Sequence, residues 1–489
     1  MKIHLYNKSF IVYREPHMTA LHTLSATELI ALIRARKLSP VEIVQASLDR
    51  AGQLQPLLNC FITLCGEQAL AQARQAEQAI MQGKPLGRLH GIPCTVKDLV
   101  HTAGVRTTFG TLLYKDNIPA EDAPGVARLK AEGAILIGKT TTPEFGSQPF
   151  TRSPLFGQTR NAWDAGRTSG GSSGGAAVAT AAGIAPLAVA TDGGGSTRIP
   201  AACNGVVGIK QSNGIIPHSQ AQDLFGNQTY VTPTTRTVAD TGLMLQVMSG
   251  DYALDPWSIG LKRADYAAAA RHQGDLRGKR IRYCYAPEGR AVSADVRETF
   301  DAALQTLAGL GAALEPFEAR DFIVEPIWRT INHTVWRARF LPLIEQHGDT
   351  FSATFRRQIL SAGEFSAVDY QEAMFARAAL FKRVQALFDT ADLFVMPTIS
   401  RTALPLDMDL FDPFEMDGRQ YDGIRTHWYP WTMLFNMTGH PAITLPCGLA
   451  RDGLPTGIQL VTRYGSDDEL LRIASVLESA TGIARQPVF

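Results

Sequence analysis

Cysteine is scarce in this chain. Cys60, Cys65, Cys94, Cys203, Cys284 and Cys447 are scattered through 489 residues without a CxxC pair, which excludes a disulfide framework and leaves reduced, mostly buried thiols as the expectation. Charge of one sign is also missing. Lys plus Arg number 47 against 46 Asp plus Glu, a formal +1, so no global field draws the chain to nucleic acid or anionic lipid. No internal repeat and no Pro/Ser-rich linker divides it. Long apolar runs are lacking as well. The one extended uncharged stretch, between Arg167 and Asp192, is built of Gly and Ala and is interrupted by Ser172, Ser173, Thr180 and Pro186. That composition gains too little on transfer to lipid and predicts a tightly packed internal helix followed by a strand. The opening MKIHLYNKSFIVYREPH is broken by Asn7, Lys8, Arg14 and Glu15, so it does not read as a signal peptide. A cytoplasmic protein is expected, with residues 1–23 as an N-terminal arm in which Met18 is an alternative start.

What is present is an alternation of helical and strand patterns. Ser25-Ala-Thr-Glu28 and Ser39-Pro40-Val-Glu42 are capping boxes, the second with proline at the first helical position. A third helix is predicted over Ala69 to Met81, ended by Gly83, and others over Ala123 to Glu132 and Ala294 to Leu310. Ser466-Asp-Asp-Glu469 reads as a further capping box before a last helix with Leu470, Leu471, Ala474 and Leu477 on one face. Short apolar runs at Ile92–Val96, Ala134–Ile137, Ala185–Ala190, Leu393–Met396, Ala442–Leu445 and Gly457–Val461 read as strands. The pattern predicts one large α/β domain over residues 24–489, with a mixed, mostly parallel central sheet covered by helices on both faces.

Three motifs compete to carry chemistry. Gly133-Ala-Ile-Leu-Ile-Gly138-Lys139-Thr140 matches the P-loop pattern, but its Ala, Ile, Leu and Ile are themselves a strand where a flexible loop is required, so nucleotide binding is rejected. Gly170-Gly-Ser172-Ser173-Gly174-Gly175 contains the GxSxG elbow of α/β-hydrolases in two frames, with His440 as the late histidine that such an esterase needs. A plain flexible Gly/Ser loop is the bland alternative. Thr191-Asp192-Gly193-Gly194-Gly195-Ser196 places three glycine amides beside a serine. Such a nest can serve as an oxyanion hole, or it can be an ordinary glycine turn with a capping serine. A serine nucleophile needs a base. Between Ile92 and Arg198 the candidates are His101 and Lys97. Free lysine titrates near 10.4, leaving about one amine in 2,500 neutral at pH 7, so a lysine base must be desolvated. The ordinary alternative for Lys97-Asp98 is a surface ion pair.

Taken together, Thr95-Val-Lys97-Asp98, Gly138-Lys139-Thr140, the Gly170–Gly175 cluster and Thr191–Ala201 closely resemble the amidase signature family. Further similarity covers Phe156–Asn161, Gly205–Lys210, Asp392–Thr398 and Gly453–Gln459, so it spans nearly everything from Leu24 onward. The resemblance implies a Ser-cisSer-Lys triad: Ser196 as nucleophile, Ser172 as proton bridge after a cis Gly171-Ser172 peptide, and Lys97 as base. It implies an oxyanion hole from the amides of Gly193, Gly194, Gly195 and Ser196, with Ser173, Asp192 and Arg198 as hydrogen-bonding and ion-pair support. Gly193 stands where a larger apolar residue is usual, which either widens the acyl side of the pocket or loosens the loop. The catalytic core is expected over about 85–215 and a variable substrate-pocket region over about 214–437. That region holds Phe225, Trp328, Trp336, Trp428, Tyr429 and Trp431. Trp428 and Trp431 are its preferred substrate contacts, with Gly146 and Ser147 as weaker ones by resemblance.

The expected reaction is hydrolysis of a small aryl or alkyl amide through acyl-Ser196. The alternative is the glutaminase component of a tRNA-dependent amidotransferase. His, Cys and acidic residues show no ligand spacing, so neither metal nor organic cofactor is expected. The expected partners are the amide substrate and a second copy of the chain in a homodimer, with no direct nucleic-acid or membrane contact.

Overall fold

The computed structural model describes residues 21–482 and 486–489. The expectations for residues 1–20, Met18 among them, therefore fall outside the described residues. Leu21–Thr23 forms a single 3-10 turn leading into the first helix.

Among the described residues there are fifteen short strands, β1 Phe61–Leu64, β2 Pro93–Lys97, β3 Ile135–Thr140, β4 Arg152–Ser153, β5 Gly157–Gln158, β6 Leu187–Asp192, β7 Val207–Lys210, β8 Tyr230–Thr235, β9 Arg280–Tyr283, β10 Ala313–Pro316, β11 Leu393–Pro397, β12 Phe414–Met416, β13 Arg419–Tyr421, β14 Ala442–Leu449 and β15 Pro455–Val461. Eleven of them make one sheet in the order β1-β3-β2-β6-β8-β7-β14-β15-β11-β9-β10, and β4-β5 and β12-β13 are separate ribbons. The single α/β domain with a mixed sheet is the expected architecture. Parallel pairing is concentrated in two triads, β3-β2-β6 and β11-β9-β10. The middle, β6-β8-β7-β14-β15-β11, is antiparallel, as is β1 on β3. Part of that antiparallel character is local: β14 and β15 are joined by the tight turn after Leu449, a connection that only antiparallel neighbours allow.

Side-chain alternation builds a core on each face. Cys94 and Val96 of β2, Leu187 and Val189 of β6, and Leu393 and Val395 of β11 enter one buried cluster with Leu29, Phe300 and Leu470. On the other face Ile135 and Ile137 of β3 pack with Val44, Ala51 and Val178. Ala188 and Ala190 meet Ala176 of the helix Gly174–Ala181. That helix lies so close that a Cβ on Gly175 would stand 2.4 Å from Thr141 Oγ1 and 2.5 Å from the Thr141 backbone nitrogen. The Gly/Ala run is thus a packing requirement, and among the described residues no helix is long and apolar enough to cross a membrane.

Both early capping boxes form. Ser25 Oγ accepts from Glu28 N and Glu28 from Ser25 N, and the Ser39/Glu42 pair does the same ahead of Pro40. The Ser466 box does not form. Ser466 makes no side-chain cap on the helix Asp467–Thr481: its backbone, at φ −107° and ψ 48°, lies outside the extended region a capping residue uses, and Glu469 pairs instead with Lys279 at 2.6 Å. The third helix starts earlier than predicted, at Gly66. All six cysteines are free and buried.

Candidate active site

Lys97 is the last residue of β2, in the parallel triad, and its side chain is completely buried. Its Nζ lies 2.8 Å from each of three hydroxyls, Ser172 Oγ, Ser173 Oγ and Thr191 Oγ1. No ion pair reaches it among the described residues, so Lys97 is not the surface partner of Asp98. Asp98 instead accepts from Thr108 N on the other side. Burial holds the Lys97 amine well below the ordinary lysine range, opposed only by the charge of Asp192. The ammonium is therefore the disfavoured form.

The hydroxyl roles around the amine follow from the remaining bonds. Ser173 Oγ donates to the Thr191 carbonyl at 3.0 Å, so toward Lys97 it can only accept. A neutral amine has two hydrogens and one lone pair. The Ser173 contact uses one hydrogen, and the lone pair can then receive the proton of Ser172. Ser172 follows a cis peptide, Gly171-Ser172, as the resemblance implies.

The loop after β6 carries Ser196, which is half-buried and lines an open cleft together with Ser172, Gly146, Gly193 and Gly194. The two serine loops are tied where Ser173 N donates to the Ser196 carbonyl at 3.1 Å. The carbonyls of the glycine nest are all engaged by protein donors: Gly193 O accepts from Trp328 Nε1 at 2.8 Å, Gly194 O from Thr432 Oγ1 at 2.7 Å, and Gly195 O from Ile199 N at 2.7 Å. The loop is pinned rather than loosened at Gly193. The amides of Gly193, Gly194 and Ser196 have no hydrogen-bond partner among the described residues. Gly195 does, which corrects one expectation: its N–H donates to Asp192 Oδ1 at 2.7 Å and is not free for an oxyanion.

Asp192 and Arg198 hold this loop from beneath. Both are fully buried, and the guanidinium is bidentate, with Nη2 3.0 Å from Oδ1 and Nε 3.0 Å from Oδ2. Burial alone would raise the carboxyl pKa. The Arg198 charge, with hydrogen bonds from Arg198, Asn436 and Gly195, outweighs burial and holds it far below the usual carboxylate range. Arg198 also donates to Gln459 Oε1 at 2.7 Å and Asn436 Oδ1 at 2.6 Å, which satisfies its fork.

The cleft has a volume of about 210 Å³, and its walls include Leu99, Phe145, Trp328, Trp336, Phe340 and Tyr429. Gly146 stands beside the bridging serine, where an added Cβ would lie 3.1 Å from Ser172 Oγ. Trp428 and Trp431 are not part of the cleft, contrary to expectation. Both are fully buried, and their indole N–H groups donate to the carbonyls of Arg401 and Tyr285 at 3.1 Å. Between them Tyr429 faces the cavity. The helix Glu325–His347 contributes more of the wall, with Trp328, Ile331, Val335, Trp336 and Phe340 recurring along one face. Phe225 is 77% exposed and lies outside the cleft.

The false motifs separate cleanly. Lys139 lies in β3, buried, and donates to Val100 O, Thr102 Oγ1 and Thr107 Oγ1. Burial lowers its pKa to about 8 against the charge of Asp98. His440 sits among Phe381, Phe388 and Tyr464 with Nε2 2.8 Å from Gln385 Oε1, away from the cleft. Burial lowers its pKa to about 3. The elbow reading therefore loses the histidine it relied on.

The Amidase family model matches residues 42–471. The chain belongs to the amidase signature family, whose members hydrolyse amide C–N bonds. It is 35% identical to an acylamidase of Rhodococcus erythropolis over 468 residues, covering 94% of this chain and 96% of that protein. It is also 33% identical over 492 residues to a glutamyl-tRNA(Gln) amidotransferase subunit from Acidothermus cellulolyticus, covering 95% of each. Among solved structures, a bacterial aryl acylamidase superposes with a TM-score of 0.87 at 29% identity, covering 94% of this chain and 97% of that one. A 6-aminohexanoate cyclic dimer hydrolase with bound substrate gives 0.83 at 28%, covering 95% and 99%. The amidase fold and the enzyme class are thereby fixed for this chain.

Proposed function

We propose that this amidase acts without partner subunits on small aryl or alkyl amides through an acyl-Ser196 intermediate. The observation that carries the reading is the buried Lys97 amine, without an ion pair among the described residues, 2.8 Å from the Oγ of Ser172, which lines an aromatic cleft together with Ser196. Ser196 Oγ attacks the amide carbonyl and its proton passes to Ser172 Oγ, which gives its own proton to the Lys97 lone pair. The amides of Gly193, Gly194 and Ser196 receive the developing oxyanion. The proton then returns from Lys97 through Ser172 to the leaving nitrogen, the C–N bond breaks, and water repeats the sequence on the ester.

The glutaminase reading is the competitor, supported by the amidotransferase relatives. Free glutamine brings an ammonium that needs an acidic partner, and among the described residues the cleft wall offers a single carboxylate, Asp223, whose Oδ1 already accepts the Gly226 N–H at 2.8 Å. Apolar and aromatic walls favour the free-standing amidase. The purified chain, alone, is expected to release amines from anilides and alkyl amides, with a mass increment on the peptide containing Ser196. Turnover of glutamine alone, and only with added partner subunits, would overturn the proposal.

A further inference from the structure

The cleft holds a cation with no counterion. Arg425 is 9% exposed, lines the cleft, and makes no ion pair among the described residues. Its Nη2 donates to Gln358 Oε1 at 2.5 Å and to the Ser147 carbonyl at 3.3 Å, and Nε and Nη1 donate to nothing described. Beside it the Ser147 hydroxyl is 3% exposed and also unpartnered. The two free nitrogens are not among the sealed, unpartnered atoms, so they stay open to a ligand in the cleft, and no protein carboxylate among the described residues pairs with their charge.

The position of Arg425 relates it to the reacting atoms. Its guanidinium lies 5.3 Å from the Trp328 ring, and that indole donates to the Gly193 carbonyl in the glycine nest. Its other neighbour, Ser147, follows Gly146, which abuts Ser172 Oγ. Arg425 thus connects to the Ser196 loop through Trp328 and to the Ser172 loop through Ser147 and Gly146. Other charges in the cleft do not neutralise it. Among the described residues neither Arg339 nor Asp223, both in the wall, forms an ion pair, and burial lowers the pKa of His218 to about 4, which leaves it neutral at pH 7.

We infer that the substrate carries a carboxylate remote from the scissile amide, held by the free edge of Arg425 with the Ser147 hydroxyl as a second donor. The inference rests on the amidase reading and specifies its substrate class. A bidentate guanidinium–carboxylate pair in this cleft gives both affinity and orientation.

The test uses binding and turnover separately, so that failure of one is not failure of the other. Ser196→Ala protein is titrated calorimetrically with two matched pairs: 4-hexanamidobenzoate against hexananilide, and adipic acid monoanilide against hexananilide. The carboxylate member of at least one pair is expected to bind roughly ten- to a hundred-fold more tightly, the span of a charge-assisted hydrogen-bonded pair. In Ser196→Ala/Arg425→Met that preference should vanish while hexananilide affinity stays within about twofold, and Arg425→Lys should restore part of it. Equal or weaker binding of both carboxylates, or a preference that survives Arg425→Met, overturns the inference. If Arg425→Met does not fold, the comparison in Ser196→Ala and in its Arg425→Lys form decides. Turnover by the intact enzyme reports only on the amidase reading.

Discussion

Asp192→Asn tests the scaffold on which the serine loops depend. The substitution keeps size and shape but leaves the Arg198 guanidinium, with no exposed surface, without its bidentate carboxylate. Removing one partner of a buried pair costs about 3–5 kcal/mol, more than the net value of the pair, because the remaining charge is stranded. Asp192 also receives the N–H groups of Gly195 and Thr197 at 2.7 and 3.2 Å on its two oxygens, and asparagine keeps only one acceptor for them, so the loop carrying Ser196 is weakened as well. The folded pKa of Asp192 lies below its unfolded value of 3.8. Its stabilisation is therefore fully present above that value and is lost as pH falls below it toward the folded pKa. Urea unfolding followed by tryptophan fluorescence should give a variant less stable by about 3–5 kcal/mol at pH 7, a gap that narrows once the pH falls below about 4. Variant and wild type agreeing within about 1 kcal/mol at pH 7 would refute the reasoning, since a buried unpaired guanidinium cannot be that cheap.

Other substitutions probe separate parts. Ser172→Ala should lower kcat by roughly 10²- to 10⁴-fold, the usual worth of a positioned proton carrier, with thermal stability nearly unchanged; wild-type kcat would remove Ser172 from the relay. Gly195→Ala should unfold or fail to accumulate, because at φ +117° its Cβ would stand 2.4 Å from Thr432 Oγ1 and 2.8 Å from Ile199 Cδ1. Gly193→Ala, whose Cβ meets only Thr229 within 4 Å, should fold and shift acyl-chain preference, and soluble yield with acyl-series kinetics separates the two. His440→Phe should keep kcat within about threefold while costing roughly 1 kcal/mol for the lost bond to Gln385; a collapse of activity with intact folding would reinstate a histidine base.

Lys97, Ser172 and Ser196 are legible in the sequence because each lies in a short motif whose chemistry is local: a lysine ending a strand, a serine in a glycine cluster, a serine beside a glycine nest. The structure adds why the first is distinctive, since three hydroxyls surround it and no acid pairs with it. Thr191 opens the glycine-nest motif, yet its contact with Lys97 depends on how β2 and β6 pair, which one strand alone does not contain. Gly195 does carry a local signal for its engaged amide, because an Asp side chain can accept the N–H two or three residues on, as capping residues do. Trp428 and Trp431 fail as substrate contacts for another reason. Residue type says that an aromatic is buried, not whether it faces a cavity or a core, and here the intervening Tyr429 takes the cavity side. Trp328 and Trp336 share a phase visible in the sequence, but only the packing of Glu325–His347 turns that face toward the cleft.

The central claim is that a neutral amine at Lys97 draws the proton off Ser196. The most direct measurement is rapid-quench mass detection of the acyl group on the Ser196 peptide, from pH 5 upward, in wild type and Lys97→Ala. Acylation in the wild type should rise with pH as the Lys97 ammonium gives up its proton, reaching its plateau well below the ordinary lysine range. The variant should show no burst. Acylation of Lys97→Ala at the wild-type rate, or a label on a residue other than Ser196, would contradict the account.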